Sequence, residues 1–177
     1  EKGIKELNLM VDPEFRCLVG MLPNNKMFVI PVKTTRRHAK DEVYIHSYLG
    51  QEIYSPVFFI DLPVFPRQIE LLRGHSDPVV GVMSSPSPLQ LYMNVKFIHI
   101  NFRLKEATLE AQSAELPGTC HKMIGLQPPM NGVLVLGYKD AYFVGNNVQR
   151  EFSFPYYTEN STHAFTDAYK MFLLLCT

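Results

Sequence analysis

The chain has 177 residues, with 17 Lys plus Arg, 17 Asp plus Glu, and a formal net charge of zero. This balance argues against a nucleic-acid-binding protein, because neutralising phosphate charges supplies most of the affinity in that class. Hydrophobic residues make up 46% of the chain and charged residues only 19%. We therefore expect one β-rich domain over residues 1–177, with part of its surface covered by another protein.

The three cysteines, Cys17, Cys120 and Cys176, are too few and too scattered for a disulfide framework. No Cys or His spacing matches a zinc site, so we expect reduced thiols, no metal and no cofactor. Reduced thiols favour the cytoplasm or nucleus over secretion, although the sequon at Asn160 favours secretion. No apolar run approaches the roughly 20 residues of a membrane span. The chain starts at Glu1 and stops inside an apolar run, so we expect a piece of a longer protein.

Short apolar runs separated by prolines and glycines are typical of an all-β domain. The runs at 15–21 and 27–32 flank Pro23-Asn24-Asn25, which predicts a β-hairpin because Asn tolerates a left-handed backbone. Residues 33–41 predict an exposed basic loop. Further strands are expected at 42–48, 57–62 and 79–83. The run at 57–62 is apolar at both parities, as in a central strand.

Residues 92–104 alternate between apolar and polar side chains but change phase between Phe97 and Ile98. Alternate side chains of a strand point to opposite faces, so the change would turn an apolar face into water. We interpret it as a β-bulge with one extra residue, which would bury both sets of apolar side chains. A break in regular pairing between Phe97 and Ile98 is the expected sign of such a bulge.

Other segments predict a hairpin and short helices. Residues 68–72 fit a helical turn or a strand, and residues 106–115 are rich in helix formers that end at Pro117-Gly118. The runs at 132–137 and 141–144 predict a tight hairpin, followed by a last strand over 148–157. Spaced apolar residues predict a C-terminal helix over 163–172. The expected fold is a two-layer antiparallel β-sandwich, or a distorted barrel, with one or two short helices.

No motif in the chain has the spacing of a known catalytic or phosphate-binding site. An enzyme would have to assemble its site from distant loops, with His99, Asp61, His75 and Cys120 as the first residues to test. Whether the protein is an enzyme stays open. The absence of catalytic spacing favours a non-enzymatic protein.

We expect a protein–protein interaction domain of a larger protein, for which self-association into a homo-oligomer is also open. A secreted or viral surface domain that binds a receptor or glycan is the other alternative. Tyr and Phe rings often dominate interfaces, although strand alternation should bury at least half of those in this chain. The predicted binding residues are Tyr138, Tyr142, Tyr156, Arg36 and Arg37.

Overall fold

The computed structural model describes residues 8–32, 56–145, 148–153, 163–166 and 173–176, all of whose regular elements are β-strands. Every strand pairing is antiparallel. Sheet 1 contains β1 (Asn8–Val11), β2 (Cys17–Leu22), β3 (Lys26–Pro31) and β4 (Phe58–Asp61), in that order. Sheet 2 contains β5 (Pro66–Leu71), β6 (Val79–Ser84), β7 (Tyr92–Asn101) and β8 (Glu106–Gln112), while β9 (Leu116–Pro117) also pairs with β7.

Sheet 3 contains β10 (Lys122–Leu126), β11 (Gly132–Leu136), β12 (Asp140–Gly145) and β13 (Val148–Ser153). A separate hairpin pairs β14 (His163–Thr166) with β15 (Leu173–Cys176). The predicted mainly β, sandwich-type fold is therefore confirmed. No helix in the described part of the chain is long and apolar enough to cross a membrane.

Two hydrophobic clusters join the three sheets face to face. The first cluster fills the space between sheets 1 and 2, and its largest fully buried side chains include Met27, Ile69 and Ile100. The second cluster lies between sheets 2 and 3 and includes Met93, Met123 and Val135. Sheet 2 thus has a core on each face, so the molecule extends the predicted two-layer packing by a third sheet.

The phase change in β7 follows from this double core. Met93, Val95 and Phe97 belong to the second cluster, whereas Ile98 and Ile100 belong to the first. A regular strand already directs these two sets to opposite faces. Sheet 3 covers one face over the first half of β7, and sheet 1 covers the other face over the second half.

The predicted break in pairing does occur between Phe97 and Ile98, but the extra residue belongs to the neighbouring strand. Phe97 pairs with Ala111 and Ile98 with Leu109, so Glu110 of β8 is the bulged residue. Pairing of β7 with β6 is regular across the same point. The expected burial of Leu104 was wrong, because it lies in the turn after β7 and is exposed.

The predicted helices are not found where the structure describes their residues. Residues 106–112 form β8 because hydrogen bonding to β7 and burial of Ala107 and Ala111 against the core outweigh the helix propensity of a short segment. His163–Thr166 is a strand, so the expected helix over 163–172 is wrong at its start. Residues 68–71 belong to strand β5, which decides the alternative left open there.

The predicted hairpins are confirmed. Strands β2 and β3 pair in register around a turn. Asn25 in this turn has φ 58°, the left-handed conformation that Asn tolerates well. Strands β11 and β12 pair likewise. The strand over 57–62 is not central as expected: among the described strands, β4 lies at the edge of sheet 1.

An ionic cluster around the buried Asp12 ties the β1–β2 connection to the β5–β6 connection of sheet 2. Arg16 donates to both carboxylate oxygens of Asp12, at 2.7 Å from Nε and 2.9 Å from Nη2. Its Nη1 donates to the backbone carbonyl of His75 at 2.6 Å, and the backbone N–H of Gly74 donates to Glu14 at 3.1 Å. Asp12 is fully buried, and this pairing satisfies its charge and raises the pKa of Arg16.

Candidate functional site

The side of sheet 1 that points away from sheet 2 carries apolar residues on all four strands, with the charged residues Lys26 and Asp61 towards one end. We call it the outer face. Alternation directs Met10, Val19 and Met27 into the first cluster, so their sequence neighbours point outward. The outer face consists of Leu9, Val11, Leu18, Gly20, Phe28, Ile30, Val57 and Phe59.

Strand register arranges these side chains in two parallel rows. The first row runs Leu9, Gly20, Phe28 and Phe59, each residue directly opposite the next across neighbouring strands. The second row runs Val11, Leu18 and Ile30, and continuing the β3–β4 register places Val57 beside Ile30. Directly opposed side chains lie about 5 Å apart, so the two rows form one continuous patch.

Gly20 makes the centre of the outer face level. A Cβ atom at this position would lie 2.3 Å from Cζ of Phe28, so the ring of Phe28 occupies the place where a β2 side chain would stand. Phe28 is consequently half-buried although it points outward. The patch therefore offers a flat aromatic centre bordered by more exposed aliphatic and aromatic side chains.

Four residues of the outer face are about half exposed: Leu9 51%, Val11 53%, Val57 48% and Phe59 56%. Together with the half-buried members, they expose on the order of 400 Å² of apolar surface. The largest apolar patches on monomeric proteins are of about this size and are often functional, which makes the outer face the candidate site.

The charged side chains nearest to the patch lie in the next row. Lys26 and Asp61 are paired in register, and Nζ of Lys26 lies 3.2 Å from Oδ1 of Asp61. The side chain of Asp61 is 84% exposed and that of Lys26 is 44% exposed, so this is a surface ion pair.

The two predicted tyrosines of the β11–β12 hairpin differ in their exposure to solvent. Tyr138 is 40% exposed, with its ring centroid 5.7 Å from that of His121. Tyr142 is only 5% exposed, because alternation along β12 directs it into the second cluster. Burial raises the pKa of Tyr142 to about 12, and its hydroxyl lies 3.5 Å from Glu151.

Tyr156, Arg36 and Arg37 lie outside the described residues, so their role in binding stays a prediction. Tyr142 belongs to the half of the rings that strand alternation was expected to bury. Of the predicted set, Tyr138 is therefore the residue that the structure places at the surface.

The four residues proposed for an enzyme do not come together. His99 of β7 lies beside Asp77 in the β5–β6 connection, with 3.3 Å between Nε2 and Oδ2, whereas Asp61 lies on sheet 1. Cys120 is buried in the second cluster, and burial raises its pKa to about 12, so the reactive thiolate is suppressed.

His75 lines a shallow recess at the β8 bulge, together with Phe97, Glu110 and Asn131. Nε2 of His75 is buried and has no hydrogen-bond partner in the described structure. The recess has room for about one water molecule, which is too small for a substrate. Among the described residues, no group of three or more His, Cys, Asp or Glu could hold a metal ion.

Cys17 is buried in the first cluster, where it packs as a small hydrophobic residue, and burial raises its pKa to about 12. Cys17 and Cys120 are both free thiols. The side chain of Cys176 lies outside the described part, so its expected reduced state stays a prediction.

Sequence reasoning missed the outer face, although one signal of it was present. Residues 57–62 are apolar at both parities, and this was interpreted as the pattern of a central strand. An edge strand that packs one face on the core and exposes a second apolar face has the same pattern. In β4 and the residue before it, the apolar side chains on the exposed face are Phe59 and Val57.

Comparisons with known proteins give no relative from which a function could be inferred, so the inference of function rests on the outer face. The sequence matches no protein-family model and has no significant match among curated proteins.

Proposed function

We propose that this protein is a protein–protein interaction domain that binds its partner through the outer face of sheet 1. The observation that carries the proposal is the continuous apolar patch of two cross-strand rows, whose four most exposed members are about half accessible. Covering it would remove on the order of 400 Å² of apolar surface from water, worth about 10 kcal/mol before the costs of association.

The chemistry of the patch supports a protein partner over other ligands. The patch itself contains no charged residue, and the adjacent row contributes one Lys and one Asp that neutralise each other. A nucleic acid or an anionic membrane surface would require an excess of basic side chains. Flat apolar and aromatic surfaces with a polar rim are typical of the centre of protein interfaces.

A capture experiment with matched variants tests the proposal. The immobilised chain, Phe59→Glu and Leu104→Glu would each be incubated with an extract of the source cells. Phe59 is 56% exposed on the outer face, whereas Leu104 is 65% exposed in the turn after β7, so the two variants place the same charge on equally accessible apolar sites. Unchanged thermal unfolding would first establish that both variants fold.

We expect at least one protein to be retained by the wild-type chain and by Leu104→Glu, and to be retained at least about 10-fold less by Phe59→Glu. If every retained protein binds the two variants equally, the outer face is not the interaction surface and the proposal is overturned.

A further inference from the structure

We propose that the occupant of the outer face is the outer face of a second copy of this chain, in a two-fold symmetric dimer. This inference rests on the proposed function, since it specifies the partner of the same surface. In such a dimer, the first-row residues Leu9, Phe28 and Phe59 of one copy contact the outer face of the other.

Charge balance favours a second copy. In a two-fold interface each surface meets itself, so an excess of either sign would be repelled by its own duplicate. Among the described side chains, the charged pair in the row beside the patch is Lys26 with Asp61, one of each sign, and the whole chain has a formal net charge of zero. Lys26 of one copy can therefore approach Asp61 of the other without adding unpaired charge.

The shape of the patch also suits self-association. Two twisted sheets stack face to face about 10 Å apart with their strands inclined by roughly 30°. Sheet 1 already packs its inner face on sheet 2, through Val19, Met27 and Phe58 of the first cluster. The level centre that Phe28 forms over Gly20 leaves no ridge to prevent the same packing on the outer face.

The area is consistent with a reversible dimer. Its apolar part, on the order of 400 Å² per copy, is about half of what one partner contributes to an interface of standard size, and the rim would supply the remainder. Interfaces at the low end of the size range are typical of transient association, so we expect a dimer that dissociates on dilution.

Sedimentation equilibrium of the purified full chain, from about 1 to 300 μM, tests for a dimer that dissociates on dilution. The weight-average mass of the wild-type chain and of Leu104→Glu should rise from monomer towards dimer over this range. Phe59→Glu should weaken association at least about 100-fold, because it buries a carboxylate without a partner in both copies.

A second measurement needs no substitution. Methyl NMR resonances of Leu9, Val11 and Leu18 should shift with protein concentration, whereas those of Leu89 and Leu104, which are exposed elsewhere, should not. A chain that stays monomeric up to the highest concentration overturns the dimer. Association that persists in Phe59→Glu, or concentration-dependent shifts that avoid the outer face, overturns it as well.

The two proposals can fail separately. If the chain is monomeric while capture of another protein still depends on Phe59, the outer face binds a different protein and only the self-association is wrong. If the chain is monomeric and no capture depends on Phe59, both proposals are wrong.

Discussion

At the scale of single residues, Glu70 is a half-buried carboxylate between sheets 2 and 3. Burial raises its pKa above the usual value of 4.5, and a hydrogen bond from the backbone N–H of Gly125 opposes only part of this effect. A raised pKa means that the folded protein holds the proton more tightly than the unfolded chain. The free energy of unfolding therefore falls as the pH rises from 4.5 through the folded-state pKa.

We expect Glu70→Gln to stabilise the protein at pH 7, since it removes a desolvated charge and keeps an oxygen that accepts from Gly125. Urea unfolding should show a higher midpoint for the variant at pH 7 and a much smaller difference at about pH 3.5, where the wild-type carboxyl is protonated. Glu110→Gln, at an exposed position, is the control. An equal gain at both pH values would show that burial of the charge is not the cause.

At the scale of one element, the outer face of sheet 1 depends on a single pair of residues on neighbouring strands. Gly20 and Phe28 are directly opposite each other in the β2–β3 register, and the Phe28 ring covers the glycine. The absence of a side chain at Gly20 thus allows the ring of Phe28 to lie flat on the sheet.

Gly20→Ala should force the Phe28 ring away from β2 and cost about 1–3 kcal/mol in the free energy of unfolding. Gly81→Ala is a matched control, because a Cβ atom there would meet its nearest neighbour, Val133, at 3.4 Å. Urea unfolding gives the cost, and the methyl shifts of Leu9 report the position of the ring. Equal costs in the two variants would contradict the steric explanation.

At the scale of the whole molecule, one side chain connects the edges of sheets 2 and 3. Nε2 of Gln68 donates to the carbonyl of Met123 at 2.7 Å, and the N–H of Met123 donates to Oε1 of Gln68 at 2.7 Å. The side-chain amide of Gln68 therefore pairs with β10 as a neighbouring strand would. It satisfies the backbone N–H and carbonyl of Met123, which lie at the edge of sheet 3.

Gln68→Leu should leave the N–H and carbonyl of Met123 without partners and cost about 3 kcal/mol in the free energy of unfolding. Hydrogen exchange should become faster at the Met123 amide than in the wild type, while the amide of Val19 in sheet 1 shows little change in native-state exchange through local opening. Gln112→Leu, at an exposed position of β8, should change neither quantity. An unchanged Met123 exchange rate would contradict the proposed connection.

Much of the strand order could be predicted from local patterns. The turn at Asn25 and the alternation in residues 15–21 and 27–32 specify the β2–β3 hairpin, because the signal is contained in residues close together in the chain. The same is true of the β11–β12 hairpin. Residues 106–112 were mispredicted because helix propensity is a weak local preference, which the hydrogen bonds to a distant strand outweigh.

The position of the bulge and the candidate site depended on contacts between distant residues. The phase change at Phe97 and Ile98 is visible in the sequence. Whether it reflects an extra residue or a second hydrophobic core depends on which sheet covers each face of β7. Likewise, the apolar pattern around Phe59 is the same for a central strand and for an edge strand with one uncovered face.

The order of apolar and polar residues therefore specifies a mainly β chain, its hairpins and the faces of its strands. It does not specify which faces are covered, because burial depends on sheets that are brought together from distant parts of the chain. Tyr142 and Phe59 illustrate the difference: both are aromatic residues in strands, yet one fills the core and the other remains exposed on the outer face. Only the packing of the three sheets distinguishes the two residues, and it thereby also determines the exposed face that we propose for binding.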